Sequence, residues 1–108
     1  YIYNFSHMTN LIKKINSKNI LINFDTSLFH FNKFEFKVFS DNFDKIKNVQ
    51  ISEKNFGSLN KISKNNYKFS KCCKNFKILK SISLEMILNN PKEIELNNSI
   101  KNFKRYFS

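Results

Sequence analysis

The chain has 108 residues, 41% of them hydrophobic, and carries a formal net charge of +11. That length suits one domain with a modest core, and no apolar run reaches the ~18 residues of a membrane-spanning helix. Cys72 and Cys73 are adjacent, which gives neither a disulfide framework nor a zinc pattern, and the single glycine, Gly57, cannot build a phosphate-binding loop.

Taken in chain order, Phe5, Met8, Leu11, Ile12 and Ile15 recur at helical spacing and predict an amphipathic helix over about 6–17, with Ser6 as its cap. Tyr1-Ile2-Tyr3-Asn4-Phe5 ahead of it has neither the basic segment nor the small-residue site of a secretory signal. Asn16-Ser17-Lys18-Asn19 breaks the helix, and Ile20 to Phe24 reads as a short, largely buried strand. The stretch Leu28 to Phe39 fits a helix through Leu28, Phe31, Phe34 and Val38, and a strand through Phe34, Phe36 and Val38. Its length and the preceding Asp25, Thr26 and Ser27 favour a helix over about 27–40. Its phenylalanines are expected in the core, filling volume that Leu and Ala fill elsewhere, and not stacked on bases.

Val49 to Glu53 and Leu59 to Ser63 read as two strands joined by a turn at Asn55-Phe56-Gly57-Ser58, with Gly57 at positive φ. Asn65-Asn66 reads as a further turn, and a short irregular or helical segment is expected around Cys72, Cys73 and Phe76. Ile78 to Ser83 alternates like a strand, with a second short strand at Met86 to Leu88. Asn90-Pro91-Lys92-Glu93 is the sharpest local signal: an Asn cap, Pro at the first helical position and Glu at the third predict a capping box and a helix over about 91–98. Ile100 to Phe107 is expected to close the chain as a strand. The whole is an α+β fold of two small mixed α/β halves packed together, short helices on small sheets. The halves are 1–54 and a β-rich 55–108.

The composition is skewed. Lys, Asn, Ile and Phe make up 62 of the 108 residues; alanine is absent and Arg105 is the only arginine. No folding rule demands this, since alanine is the best helix former. The favoured residues have A/T-rich codons, which points to a gene under extreme AT pressure, such as an organellar genome. Lys then stands in for Arg, and Asn for Gly in loops. The 19 basic and 8 acidic residues are spread along the chain, so the charge belongs to a folded basic face and suits a polyanion. The residues offer little chemistry. His7 and His30 do not make a metal set with the cysteines, no carboxylates pair, and only lysines stand near Cys72 and Cys73. An enzyme is not expected, and no cofactor is implied.

The order of elements and several local strings resemble small-subunit ribosomal protein eight. Met8-Thr9-Asn10-Leu11-Ile12-Lys13-Lys14-Ile15-Asn16 is similar to the family's Met-Leu-Thr-Arg-Ile-Arg-Asn helix. Gly57-Ser58-Leu59-Asn60-Lys61-Ile62-Ser63-Lys64 followed by Asn65-Asn66 is similar to its Gly-Ile-Lys-Arg-Ile-Ser-Lys-Pro-Gly. Ile82 to Ile94 runs without a gap beside its Leu-Ser-Thr-Ser-Lys-Gly-Ile-Met-Thr-Asp-Lys-Glu-Ala, where Ser83 matches the first serine while Leu84 and Glu85 replace the others. A weaker resemblance, to small-subunit ribosomal protein ten, runs through Asn75-Phe76-Lys77-Ile78.

The resemblance implies a structural constituent of an organellar, mitochondrial small ribosomal subunit, working in the matrix. Its partners would be small-subunit rRNA and neighbouring ribosomal proteins, with no small-molecule substrate and no membrane insertion. The candidate RNA-binding residues are Lys13, Lys14, Lys61, Ser63, Lys64, Lys80, Ser83, Asn89, Asn90 and Lys92. Lysines would neutralise phosphates, while hydroxyls, amides and a helix start would fix register. The rival expectation is a non-catalytic basic accessory subunit of an organellar respiratory membrane complex.

Overall fold

The structure, a computed structural model, describes residues 5–28, 33–75 and 81–107. Four helices, α1 (Phe5–Ile15), α2 (Lys33–Asp41), α3 (Lys64–Asn75) and α4 (Glu93–Phe107), surround three strands, β1 (Ile22–Asp25), β2 (Ile46–Ile51) and β3 (Ser81–Leu84). The strands lie in the order β1-β2-β3, and both pairings are parallel, with Phe24 beside Val49 and Val49 beside Ile82. The fold is a small α+β arrangement. Parallel neighbours need a crossover rather than a tight turn; α2 connects β1 to β2, and α3 lies between β2 and β3.

Phenylalanine builds the centre. Phe24 of β1, Phe39 of α2 and Phe69 of α3 are fully buried. Their ring centroids lie 4.9 Å (Phe24–Phe39), 5.5 Å (Phe24–Phe69) and 5.0 Å (Phe39–Phe69) apart, within the range of favourable aromatic pairs. Ile12, Ile22, Phe43, Ile46, Val49, Ile51, Leu59, Cys73 and Phe107 complete the core among the described residues. Phe39 therefore takes the core role expected of the 28–39 segment; Phe29 and Phe31 and the side chains of Phe34 and Phe36 lie outside what is described.

At its C-terminal end β1 is tied to β2 by side chains. Thr26 Oγ1 donates to the Ser52 carbonyl at 2.8 Å and accepts from the Ser52 N–H at 3.1 Å. Asn66 Nδ2 of α3 donates to the same carbonyl at 2.8 Å. These bonds satisfy buried backbone groups where the sheet ladder stops.

Several local expectations are corrected. The two-stranded hairpin around Gly57 is absent: β2 ends at Ile51, a lone antiparallel bridge between Glu53 and Gly57 closes the turn, residues 59–63 are irregular, and α3 begins at Lys64. Ser63 caps α3 by accepting the Asn66 N–H at 3.1 Å, so the expected Asn65-Asn66 turn is the first turn of a helix. Gly57 has φ −67°, whereas Asn55 and Phe56 both sit at φ 58°. The glycine stands close to the preceding backbone: a Cβ there would lie 3.1 Å from the Lys54 carbonyl oxygen, a tight contact. Asn16 (φ 47°) and Asn90 (φ 49°) also take left-handed backbone, which Asn tolerates better than most residues.

That conformation excludes Asn90 as a helix cap, because a cap residue needs extended backbone. The helix starts at Glu93 instead, with Lys92 O accepting from the Glu95 and Leu96 N–H groups, and the capping box does not form. From there α4 runs to Phe107, so the expected terminal strand is its second half. Residues 86–88 are not a strand; the Ile87 N–H donates to the Phe56 carbonyl at 2.9 Å. The sheet crosses the division placed at 54/55, pairing β2 with β3.

Candidate nucleic-acid interface

Helix α3 carries Lys64, Lys68, Lys71 and Lys74, all exposed, and no carboxylate. The reason is periodicity. Asn66, Phe69, Ser70 and Cys73 form the buried stripe at i, i+3, i+4 and i+7, which turns the lysines outward. The second half of α4 repeats the pattern: Ser99 and Phe107 are buried, Phe103 and Tyr106 half-buried, while Lys101, Lys104 and Arg105 are exposed. Its two carboxylates, Glu93 and Glu95, are confined to the first turn.

Two tyrosines join the helices. Tyr67 of α3 and Tyr106 of α4 meet edge to face with centroids 6.0 Å apart. The Lys71 ammonium sits 4.6 Å above the Tyr67 ring, and the Arg105 guanidinium 5.4 Å from the Tyr106 ring. These cation–π contacts hold one cation of each helix at the helix–helix seam while leaving its N–H donors available. Tyr67 remains 43% exposed, so part of an aromatic surface stands among the cations. Helix α4 is also tied to the segment ahead of α3: Asn102 Nδ2 donates to the Leu59 and Asn60 carbonyls at 2.8 and 3.1 Å, and Asn98 Nδ2 to Asn60 Oδ1 at 3.1 Å.

The residues expected from the sequence fall in separate places. Lys61, Ser63 and Lys64 lie at the start of α3 and join this ridge; Ser63 is engaged as the cap, its N–H bound to Glu53 Oε1 at 2.8 Å. Lys13 and Lys14 are exposed on the last turn of α1, which packs against α2. Asn89, Asn90 and Lys92 are exposed between β3 and α4. Lys80 lies outside the described residues. Ser83 is exposed on β3.

Another polar surface crosses the sheet. Ser81 Oγ donates to Asn48 Oδ1 at 2.5 Å, Asn48 Nδ2 to Asn23 Oδ1 at 2.7 Å, and Asn23 Nδ2 to Gln50 Oε1 at 2.6 Å; Gln50 Nε2 donates to Glu85. Parallel sheets are usually covered on both faces. Here the side chains of one face bond to one another across all three strands, so their donors and acceptors are largely spent within the sheet.

A cleft of about 300 Å³ between α1 and the end of α2 is lined by Lys13, Lys18 and Lys45 together with Asp41 and Asp44, so its charges largely offset. Asp41 is also held by Lys37 at 2.7 Å. Among the described residues no three His, Cys, Asp or Glu side chains come together as metal ligands. Burial raises the Cys72 thiol's pKa. Burial, reinforced by the Cys72 charge, pushes Cys73 up to about 12, so both are protonated near neutral pH and are poor nucleophiles.

Sequence reasoning missed Tyr67, Lys68, Lys71, Lys74, Lys101, Lys104 and Arg105 as a unit. The signal was present as 64/68/71 and 101/104/105 spacing, but it is visible only once both segments are known to be helical. Compared with known protein families, with curated proteins and with solved structures, the chain matches none.

Proposed function

We propose that the protein is a non-catalytic RNA-binding constituent of a ribonucleoprotein. The sequence resemblance points to the small subunit of an organellar, mitochondrial ribosome as the particle and to small-subunit rRNA as the ligand. The observation that carries the reading is the ridge of α3 and the second half of α4, where seven cations and no carboxylate flank the Tyr67–Tyr106 pair. Each lysine that meets a phosphate releases condensed counterions, which supplies affinity without reading sequence. A-form RNA is recognised mainly through shape, phosphates and 2′-hydroxyls, and a rigid ridge of donors suits that. Lys71 and Arg105, positioned by the tyrosine rings, hold register; Lys64, Lys68, Lys74, Lys101 and Lys104 add charge.

In this reading the contact lies on the helices and not at Ser83, consistent with Leu84 and Glu85 standing where the family string it resembles carries hydroxyls. The test is fluorescence anisotropy with a small-subunit rRNA fragment at low salt. Lys71→Glu with Arg105→Glu is expected to weaken binding more than 100-fold, by removing and then reversing two charges, about 1.4 kcal/mol per tenfold. Lys13→Glu with Lys14→Glu makes the same charge change on α1 and is expected to have a much smaller effect. Equal losses would refute the placement on α3 and α4.

A further inference from the structure

Among the described residues of the ridge, Tyr67 is the aromatic side chain left most open, 43% exposed. Its neighbours on the same side of α3 are Lys64 at i−3, Lys71 at i+4 and Lys74 at i+7, which together span about 15 Å of the helix axis. Across the seam Tyr106 meets the ring edge to face, with Arg105 beside Tyr106. That contact fixes the ring in place, so a flat apolar surface is held among cations of both helices. The Lys71 ammonium lies over the ring at 4.6 Å from its centroid, and Lys71 is itself exposed, so the face it covers opens to solvent.

The ring and the cations ask for different things of a ligand. Phosphates alone satisfy the cations and leave the ring in water. An apolar protein partner satisfies the ring and strands the ammonium groups without anions. A nucleotide supplies both a π-face and a phosphate. In a continuous duplex, however, each π-face is already stacked on its neighbours. The A-form major groove is too deep and narrow for a side chain to read, and the shallow minor groove shows only base edges. Tyr67 therefore finds a π-face only where a base leaves the stack.

We infer, resting on the RNA reading above, that the ridge takes an RNA helix at an unpaired nucleotide, whose base stacks on Tyr67 while Lys64, Lys71 and Lys74 hold the flanking phosphates. The entering base takes the place of the Lys71 ammonium over the ring. On its flexible stem that ammonium moves to the phosphate of the same nucleotide. The exchange is favourable, because base stacking outweighs an exposed cation–π contact and Lys71 gains an anion. Every base has a π-face, so the preference is for an unpaired base and not for a sequence.

Fluorescence anisotropy with the intact chain at roughly 50 mM salt compares three RNAs of one sequence. One is a continuous duplex of about 16 base pairs. The second carries one unpaired adenosine at its centre, and the third an abasic residue in place of that adenosine. The unpaired adenosine is expected to tighten binding roughly 10- to 100-fold over the duplex, and the abasic residue less than about threefold. Tyr67→Leu should bind all three alike, and Tyr67→Phe should keep the preference. The abasic RNA tests the wild-type protein and so does not depend on either variant folding. Equal binding of all three RNAs by wild type overturns the inference and leaves the RNA reading standing. An abasic RNA bound as tightly as the unpaired adenosine overturns it too, since the distorted backbone and not the base is then recognised. So does a Tyr67→Leu protein with the wild-type circular-dichroism spectrum that keeps the preference. No binding to any of the three overturns both the inference and the reading beneath it.

Discussion

Replacing Thr26 by Val tests how β1 and β2 are joined. The Thr26 hydroxyl does two things at once: it donates to the Ser52 carbonyl at 2.8 Å and accepts the Ser52 N–H at 3.1 Å. Both residues are buried, so water does not replace the missing partner. After Thr26→Val the carbonyl keeps the Asn66 Nδ2 donor at 2.8 Å, but the Ser52 N–H is left without its acceptor. One orphaned buried donor costs about 1–3 kcal/mol, and valine occupies nearly the same volume, so the loss is expected near 2 kcal/mol. Thr26→Ser keeps the hydroxyl and removes one methyl, for a loss near 1 kcal/mol. Asn66→Ala alone leaves the carbonyl to Thr26 and costs about 1 kcal/mol from the bond, plus the cavity. The double variant Thr26→Val with Asn66→Ala strips the carbonyl of both side-chain donors, so its loss should exceed the sum of the singles by about 1 kcal/mol. Urea unfolding followed by circular dichroism measures this as a shift in midpoint at constant slope. Additive losses, or a Thr26→Val protein as stable as wild type, would refute the assignment of these bonds as the join.

Three further outcomes are expected. Asn55→Gly relieves left-handed backbone at φ 58° and should stabilise the protein by about 0.5–1 kcal/mol in the same urea experiment. Gly57→Ala places a Cβ 3.1 Å from the Lys54 carbonyl oxygen, but in extended backbone that alanine adopts freely, so the tight contact and the stiffer unfolded chain offset and the stability should change by less than about 1 kcal/mol. Cys73 gives a pH signature: its folded pKa is raised to about 12, above that of an exposed thiol, so between roughly pH 9 and 12 the unfolded chain loses a proton that the folded one keeps. Stability should fall through that window more steeply in wild type than in Cys73→Ala, by up to about 1.4 kcal/mol per pH unit; identical profiles would contradict the burial of this thiol.

What the sequence discloses follows from how each element buries itself. Helix α1 was legible from its apolar spacing, although of that set Met8 and Ile12 turn inward beside a buried Thr9 while Leu11 and Ile15 are exposed, and β1 was legible because Ile22 and Phe24 alternate with Asn23. Helix α3 was hidden because its buried stripe includes Asn66 and Ser70, polar residues whose partners, the Ser52 and Tyr67 carbonyls, are visible only in the folded chain. The same effect split α4: Ser99 is buried with its hydroxyl on the Glu95 carbonyl, and Asn102 points at the 59–60 loop. Gly57 drew attention as the sole glycine, yet among the described residues Asn carries three of the four left-handed positions, as a chain poor in glycine requires. The candidate site was legible in part. Ser63 and Lys64 were singled out and lie at the start of the ridge, whereas Lys71 and Arg105 needed the two helices and the tyrosine contact between them.

The central claim is that the α3–α4 ridge holds phosphates, and the salt dependence of RNA binding tests it most directly. Affinity of the intact chain for a small-subunit rRNA fragment, measured from roughly 50 to 200 mM salt, should fall by orders of magnitude, linearly on logarithmic axes. Removing three ridge cations together, with Lys68→Ala, Lys71→Ala and Arg105→Ala, should reduce that slope by about three, close to one for each phosphate that no longer meets a cation. No binding at the lowest salt, or a slope that the triple variant leaves unchanged, would contradict the account.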